Sequence, residues 1–247
     1  MRTILTFGFI ILYLLVGYIP LGFFWLYGKF INQEKADLIQ LHMVQWVFRV
    51  LHVLAGIDLT VIGEENVPKN EPVLYVANHR SMVDIVITYA RCPGLTGFVA
   101  KDVVNKVPAL RAWMKRLHCE FLNREDVKEG LKTILSCIDK VKRGISIFIF
   151  PEGTRNKNKD DSTDIGEFKD GSFKVASKTG CKIVPVAITG TNKIFEDHAP
   201  FIHGAKIILE YGKPVTYKEL DKENQKRVGA YFQNQIQEML VKHKELI

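Results

Sequence analysis

The sequence predicts an α/β protein with a single domain, in which a mostly buried mixed sheet is flanked by helices. From residue 58 onward, short apolar runs of strand length alternate with segments of helical periodicity. With 247 residues, the chain is long enough for one sizeable domain and an appended segment. Residues 1–56 differ from the rest in composition, and they predict N-terminal helices that anchor the α/β domain of residues 57–247 to a membrane.

The apolar start of the chain is the basis of that membrane assignment. Residues 3–28 contain no charged side chain, and about 20 apolar residues are enough to cross a bilayer core. A cleaved signal peptide is the alternative, but the run is too long and no small-residue cleavage site follows it. Pro20 predicts a kink or break near residue 19. Residues 34–55 then predict a second helix, with apolar side chains on one face.

Three arrangements of these helices remain open. The first segment could span the bilayer, both helices could dip into one leaflet, or residues 34–55 could simply pack on the domain. The break and the amphipathic second helix favour the one-leaflet arrangement. We therefore expect a protein of the cell membrane, peripheral, monotopic or single-pass, with its α/β domain on the cytoplasmic side.

The net charge and the cysteine content limit which binding partners and metal sites we expect. The net charge of +7 suits an anionic membrane surface. No zinc-finger spacing or aromatic RNA-binding signature is present, so nucleic acid is not an expected partner. The four cysteines form no C-x-x-C pair, which argues against a zinc site and fits a reducing cytosol.

The elements of the body follow from local signals. Pro108 stands at a favoured first helical position, and Gly144 and Gly180 are suited to closing helices. Residues 145–150 are apolar nearly throughout, which is typical of a buried strand. The predicted strands are 59–63, 73–77, 97–100, 145–150, 183–188 and 207–211, and the predicted helices are 81–90, 108–117, 125–143, 172–180 and 218–245. Residues 154–166, rich in Asn, Lys and Asp, predict an exposed loop near the site.

The segment from Asn78 to Asp84 is the first candidate for chemistry. On a continuous helix, His79 and Asp84 would point about 140° apart, because five residues advance by about 500°. They can meet only if His79 lies in the turn before the helix and Asp84 lies in its first turn. The carboxylate could then accept a hydrogen bond from one ring nitrogen and leave the other as a base. Alternatively, Ser81-x-x-Asp84 is a helix capping box and His79 an ordinary loop residue.

The second candidate follows the buried strand 145–150. A proline–glycine turn there places Glu152 and Arg155 at the carboxyl edge of the sheet, where open α/β sheets bind ligands. Glu152 could hold a hydroxyl group, and the planar fork of Arg155 suits a phosphate. A sturdy turn with two solvated charges is the alternative.

Together these two segments resemble a known family. His79-x-x-x-x-Asp84 and Phe150-Pro151-Glu152-Gly153-Thr154-Arg155, about 70 residues apart, are similar to the first and third motifs of the glycerolipid acyltransferases. Glu120-Phe121-Leu122-Asn123-Arg124 is similar to the second motif, with Asn123 where many members carry Asp. Ile183-Val184-Pro185-Val186-Ala187-Ile188 is similar to the fourth. The likeness runs from about residue 58 to 215. In size and apolar start, the chain most resembles bacterial members that acylate 1-acyl-glycerol-3-phosphate.

The resemblance implies transfer of a fatty acyl group from a thioester of acyl carrier protein or coenzyme A to the hydroxyl of lysophosphatidic acid. His79 would be the base and Asp84 its orienting partner. The implied substrate-binding residues are Lys101, Arg124 and Arg155 for the phosphate, Glu152 for the glycerol, and Gly153 and Thr154 beside them. Backbone amides near 78–81 or 153–155 are candidate donors to the oxyanion. No metal and no cofactor besides the thioester co-substrate is expected.

A basic stretch between Lys101 and Arg116 is open to more than one interpretation. Lys106, Arg111 and Lys115 lie beside Trp113 and Met114. Such a segment could rest on an anionic bilayer, bind an acidic carrier protein, or form an ordinary solvated helix.

Overall fold

A computed structural model describes residues 1–123, 126–158 and 161–246. The helices are α1 (Arg2–Val16), α2 (Tyr18–Phe30), α3 (Gln33–Ala55), α4 (Val83–Tyr89), α5 (Pro108–Arg116), α6 (Val127–Lys142), α7 (Lys174–Thr179), α8 (Lys222–Lys226) and α9 (Val228–His243). The strands are β1 (Ile57–Ile62), β2 (Leu74–Ala77), β3 (Thr96–Lys101), β4 (Glu120–Leu122), β5 (Ser146–Ile149), β6 (Lys182–Thr189), β7 (Ala205–Tyr211) and β8 (Val215–Thr216). The predicted alternation of strands and helices is confirmed.

The strands form one mixed sheet in the order β1-β7-β6-β2-β5-β3-β4, with β8 paired to β6. Strand β2 is parallel to both β5 and β6, and β3 is parallel to β5 and β4. Strand β7 runs antiparallel to β6, and β1 follows the direction of β7. The carboxyl ends of β2, β3, β4, β5 and β6 therefore meet at one edge, where the residues after β2 and β5 come together.

Both faces of the sheet are covered, as the side chains of β2 illustrate. Tyr75 and Ala77 pack in the core that includes residues of α2, α3 and α5, whereas Leu74 and Val76 pack in the core beneath α6, α7 and α9. All four side chains are almost fully buried. Because alternate side chains of a strand point to opposite faces, the apolar run of β2 supplies two cores. The predicted mostly buried, helix-flanked mixed sheet is confirmed.

The N-terminal helices pack on the first of these faces. Tyr13 of α1 stacks on Trp113 of α5, with ring centroids 5.2 Å apart. Asp37 of α3 pairs with His118, their closest N–O distance being 2.9 Å. The Gln45 side-chain amide donates to the carbonyl oxygen of Cys92 at 2.7 Å. These contacts attach α1 and α3 directly to the α/β body.

The outer surface of the same helices is apolar. Most of the large apolar side chains that are exposed in the described residues belong to the first 55, among them Ile19 and Phe30. Helix α3 is long and apolar enough to cross a membrane, and α1 and α2 would be so as a pair, bent by 41°. This surface supports membrane association of the chain.

The first break in the helical start lies slightly earlier than expected. The chain bends at Gly17 rather than near residue 19, and α2 begins at Tyr18. Pro20 therefore stands in the first turn of α2, where its missing N–H would have no acceptor within the helix. Gly17 is needed at the bend because a Cβ there would lie 2.6 Å from the carbonyl oxygen of Tyr13 and 2.9 Å from Nε1 of Trp113.

The predicted long helix 218–245 is wrong in one respect, since it is divided into α8 and α9. Arg227 leaves the helical conformation, with φ −127° and ψ 45°. Just beyond it, the amide of Gly229 donates to Oδ1 of Asp170 at 2.8 Å, and a Cβ on Gly229 would lie 2.2 Å from the carbonyl oxygen of Phe168. The close approach of α9 to residues 168–170 requires the chain to change direction.

The packing at Gly17 leads to a stability prediction. Gly17→Ala should destabilise the protein by about 1–3 kcal/mol, because an overpacked interface forces its neighbours apart. Gly22→Ala in α2 is the matched control, since a Cβ there meets no atom within 4 Å, and it should be neutral or slightly stabilising. Thermal unfolding in detergent micelles measures both. Equal Tm values for the two variants would show that the packing at Gly17 leaves room for a methyl group.

Candidate active site

His79 and Asp84 are hydrogen-bonded at the carboxyl edge of the sheet. His79 lies just after β2 and outside α4, whereas Asp84 lies in the first turn of α4. Nδ1 of the imidazole is 2.8 Å from Oδ2 of the carboxylate. The arrangement required by the five-residue spacing is therefore the one that the chain adopts.

The carboxylate of Asp84 also organises the turn around it. It is fully buried, and its Oδ2 accepts hydrogen bonds from the amides of Arg80 and Ser81 at 2.8 and 2.9 Å. Its Oδ1 accepts from the Thr191 hydroxyl at 2.5 Å. Only half of the predicted capping box forms, because Oγ of Ser81 accepts from Val83 rather than from the amide of Asp84. Asp84 thus holds both the turn and the histidine.

The imidazole of His79 is fixed on a second side by an aromatic ring. Phe150, the residue after β5, stacks on it with centroids 4.0 Å apart and planes at 18°. A carboxylate can only accept, so the bond to Asp84 fixes the proton on Nδ1. Nε2 then carries a lone pair, and it has no hydrogen-bond partner among the described residues. This arrangement gives an oriented base with one nitrogen available.

The carboxylate of Glu152 is hydrogen-bonded to the backbone on two sides. Its Oε1 accepts from the amide of His79 at 2.6 Å, and its Oε2 accepts from the amide of Gly166 at 2.7 Å. Burial raises the pKa of the Glu152 carboxyl, and the two amide bonds act in the opposite direction. Through these two bonds Glu152 joins three segments of chain, and its predicted contact with a glycerol hydroxyl stays a prediction.

The remaining residues of the predicted turn have different surroundings. Gly153 has φ 75°, a left-handed conformation that favours glycine, and Thr154 is exposed. The guanidinium of Arg155 donates to Oε1 of Glu196 at 3.0 Å. Arg155 is thus held near the base but remains about two-fifths exposed.

The other two predicted phosphate-binding residues come from neighbouring strands. Lys101 is exposed at the carboxyl end of β3, where it is in register with Leu122 of β4. Strand β3 is separated from β2 by β5. Arg124 lies outside the described residues. The roles predicted for Lys101 and Arg124 remain predictions.

Glu196 and Thr191 are site residues that the sequence analysis missed. Glu196 accepts from the hydroxyl of Ser81 at 2.6 Å and from the amide of Met82 at 2.9 Å, in addition to Arg155. Both residues follow β6, whose carboxyl end lies beside that of β2. Like Glu152, both residues therefore lie where a parallel strand ends at this edge, although no short motif marks them.

Arg80 closes the loop 154–166 over this region. Its guanidinium donates to the carbonyl oxygens of Asp161 and Asp164, each at 3.0 Å, and to that of Asn158. Thr163 and Ile165 are buried. The described residues of the loop, 154–158 and 161–166, lie near the site as expected. They are tied to Arg80 rather than wholly exposed, because the buried Arg80 charge needs acceptors.

Parallel strands with polar side chains gathered at their carboxyl edge give this molecule the framework of an α/β enzyme. Residues 58–189 match the family model described as Acyltransferase. The chain belongs to this acyltransferase family, and it is an enzyme that transfers acyl groups. The resemblance noted from its motifs is confirmed.

Individual relatives agree with this assignment. A protein of Borreliella burgdorferi named 1-acyl-sn-glycerol-3-phosphate acyltransferase is 31% identical over 186 residues, which cover 74% of this chain and 72% of that protein. A Saccharomyces cerevisiae protein of the same name is 28% identical over 211 residues, 83% of this chain and 68% of the relative. The crystal structure of the 1-acyl-sn-glycerophosphate acyltransferase PlsC from Thermotoga maritima is similar over 99% of this chain and 98% of that one, with 25% identity and a TM-score of 0.78.

The surroundings of Glu152 lead to a second prediction. Glu152→Ala should destabilise the fold by about 1–3 kcal/mol, because the partly buried amides of His79 and Gly166 lose their acceptor. The exposed Glu167 provides the control, and Glu167→Ala should change stability by less than about 0.5 kcal/mol. Denaturant unfolding of both variants checks this. A midpoint for Glu152→Ala equal to that of Glu167→Ala would contradict the joining role.

Proposed function

We propose that the chain transfers a fatty acyl group from an acyl thioester to the free hydroxyl of 1-acyl-glycerol-3-phosphate, which yields phosphatidic acid. The observation that carries the proposal is the 2.8 Å hydrogen bond between His79 and Asp84, in a chain whose relatives are named for this reaction. An alcohol is a poor nucleophile at neutral pH, and it needs a base within reach. An oriented imidazole with a lone pair on Nε2 supplies that base.

In the proposed reaction, Nε2 of His79 takes the hydroxyl proton while the oxygen attacks the thioester carbonyl. Asp84 stabilises the imidazolium that forms. The tetrahedral oxyanion collapses, the carbon–sulfur bond breaks, and the imidazolium returns its proton to the departing thiolate. The products are an ester and a thiol. Because the thioester is already activated, no metal, cofactor or covalent acyl-enzyme is needed.

The oxyanion needs donors, and the hydrogen bonds of the turn narrow the choice. The amides of residues 79–82 already donate to the carboxylates of Glu152, Asp84 and Glu196. The amides of Thr154 and Arg155 have no acceptor in the described part of the chain. The next amide, that of Asn156, donates to the carbonyl oxygen of His79 at 2.7 Å. We therefore propose the amides of Thr154 and Arg155, rather than those of residues 79–82, as the donors to the oxyanion.

Membrane attachment through one leaflet is part of the proposal. Helix α3 buries Asp37 and Gln45 against the α/β body, which supports a position of this helix beside the domain rather than across a bilayer. The bend between α1 and α2 interrupts the other candidate span. Such an attachment, with the body on the cytoplasmic side, keeps the site beside the lipid acceptor and open to a thioester from acyl carrier protein or coenzyme A.

The role of the base leads to a direct test. His79→Ala should lower kcat by at least about 10²–10⁴-fold, the usual contribution of a general base. The assay supplies labelled acyl thioester with and without lysophosphatidic acid and measures labelled phosphatidic acid and free fatty acid.

The control is His42→Ala, which removes an exposed histidine of α3 and should leave the rate unchanged. Phosphatidic acid formed equally by wild type and His79→Ala would exclude the mechanism. Free fatty acid as the sole labelled product would identify a hydrolase instead. Activity with glycerol-3-phosphate but not with lysophosphatidic acid would contradict the acceptor.

Arg155 is the proposed ligand of the acceptor phosphate. Removing a charge-assisted hydrogen bond costs about 1.5–3 kcal/mol, so Arg155→Ala should raise KM for lysophosphatidic acid by about 10- to 100-fold. Arg91, which pairs with Glu64 at 2.6 Å, is a matched control because Arg91→Ala breaks an arginine–glutamate pair outside the site. Steady-state kinetics with the acceptor varied compare the two. The same KM in both variants would remove Arg155 from the phosphate site.

A further inference from the structure

An apolar groove of about 750 Å³ lies between α6, α7 and α8. Leu131 and Leu135 of α6 form one wall and are more than half exposed. Phe173 and Tyr217 line the opposite side. Exposed leucines on one helix face, beside a groove with an apolar floor, are typical of a surface that binds the apolar face of an amphipathic helix.

The rim of the groove is basic. Lys142, Lys174, Lys178 and Lys226 line it and are exposed, and none of the four pairs with a carboxylate of the described residues. The acidic side chain that lines it, Asp170, is engaged through Oδ1 by the amide of Gly229. With four lysines and one carboxylate in its lining, the groove presents a surplus of positive charge around an apolar centre.

The position of the groove excludes the bilayer as its natural occupant. Helices α6 and α7 cover one face of the sheet, whereas the apolar N-terminal helices pack on the other. The sheet separates the two surfaces. A partner in this groove would reach it from the aqueous side of a membrane-bound protein.

The groove also leads toward the active site. Helix α6 connects β4 to β5, which run in the same direction, so its first turns lie at the carboxyl edge of the sheet. Beside them, the amide of Lys169 donates to the carbonyl oxygen of Pro151 at 3.2 Å, one residue from Glu152. A partner seated along α6 would therefore have one end beside the strand edge that carries His79.

We propose that this groove docks a soluble acidic protein whose amphipathic helix places carboxylates against the four lysines and apolar side chains against Leu131 and Leu135. This inference rests on the proposed function, since the partner is the carrier that brings the acyl thioester. An acidic partner is proposed because its charge is complementary to that of the lysines. The end of the groove near the carboxyl edge of the sheet would place the carrier's thioester beside the active site.

The experiment compares two donors on full-length protein in vesicles, palmitoyl acyl carrier protein and palmitoyl-coenzyme A. Lys174→Glu/Lys178→Glu should raise KM for the carrier-bound donor by about 10-fold or more and leave KM for the coenzyme A donor within about twofold. Leu131→Ala/Leu135→Ala should act in the same direction. The control, Lys69→Glu/Lys206→Glu, makes the same charge change at exposed lysines outside the groove.

Several outcomes would overturn the proposal. Equal changes in KM with both donors would overturn it, and so would no change in KM with either donor. If the lysine variant no longer sedimented with anionic vesicles, the groove would be a membrane-binding surface instead.

Binding of labelled acyl carrier protein provides a readout that needs no turnover. If the wild-type protein turned over neither donor, the proposed function would fail. Fluorescence anisotropy of the labelled carrier would still show whether the carrier binds in the groove. Binding by wild type and not by the lysine variant would support it, and no binding by wild type would end it.

Discussion

The buried carboxylate of Asp84 is the constraint on which the site depends. A carboxylate removed from water is strongly destabilising unless donors surround it, and four donors converge here: the amides of Arg80 and Ser81, the ring of His79 and the hydroxyl of Thr191. The requirement to satisfy this one group bends the chain after β2 and fixes where α4 begins. The orientation of the histidine is a consequence of the same requirement.

Neighbouring strands complete the support of this turn. Asn78 exchanges two hydrogen bonds with the backbone of Ile188 in β6, and Glu152, after β5, holds the amide of His79. Both β5 and β6 are parallel partners of β2. Parallel pairing therefore places three chain segments at one edge, and the side chains that emerge there position the base from several directions.

Much of this arrangement could be predicted from sequence, because it depends on local signals. The apolar run 145–150 and the Pro–Gly turn after it predicted where Glu152 would lie, and the five-residue spacing predicted that His79 must stand off the helix. The engagement of both Glu152 oxygens could not be foreseen, since Gly166 reaches one of them through tertiary folding. Glu196 could have been expected at this edge from its place after β6, but its partners could not, because they lie 114 and 115 residues away along the chain. The division between α8 and α9 likewise follows from a tertiary contact, at Gly229.

The attachment of the N-terminal helices to the body has a mechanical consequence. The Asp37–His118 pair and the stack of Tyr13 on Trp113 join helix and domain without a flexible linker. The N-terminal helices and the α/β domain therefore move together as one rigid unit rather than as two parts joined by a flexible tether. In the proposed one-leaflet attachment, this packing would also determine the height and tilt of His79 relative to the lipid plane. The proposed lipid acceptor would then be selected by the depth of its hydroxyl in the leaflet as well as by its chemistry.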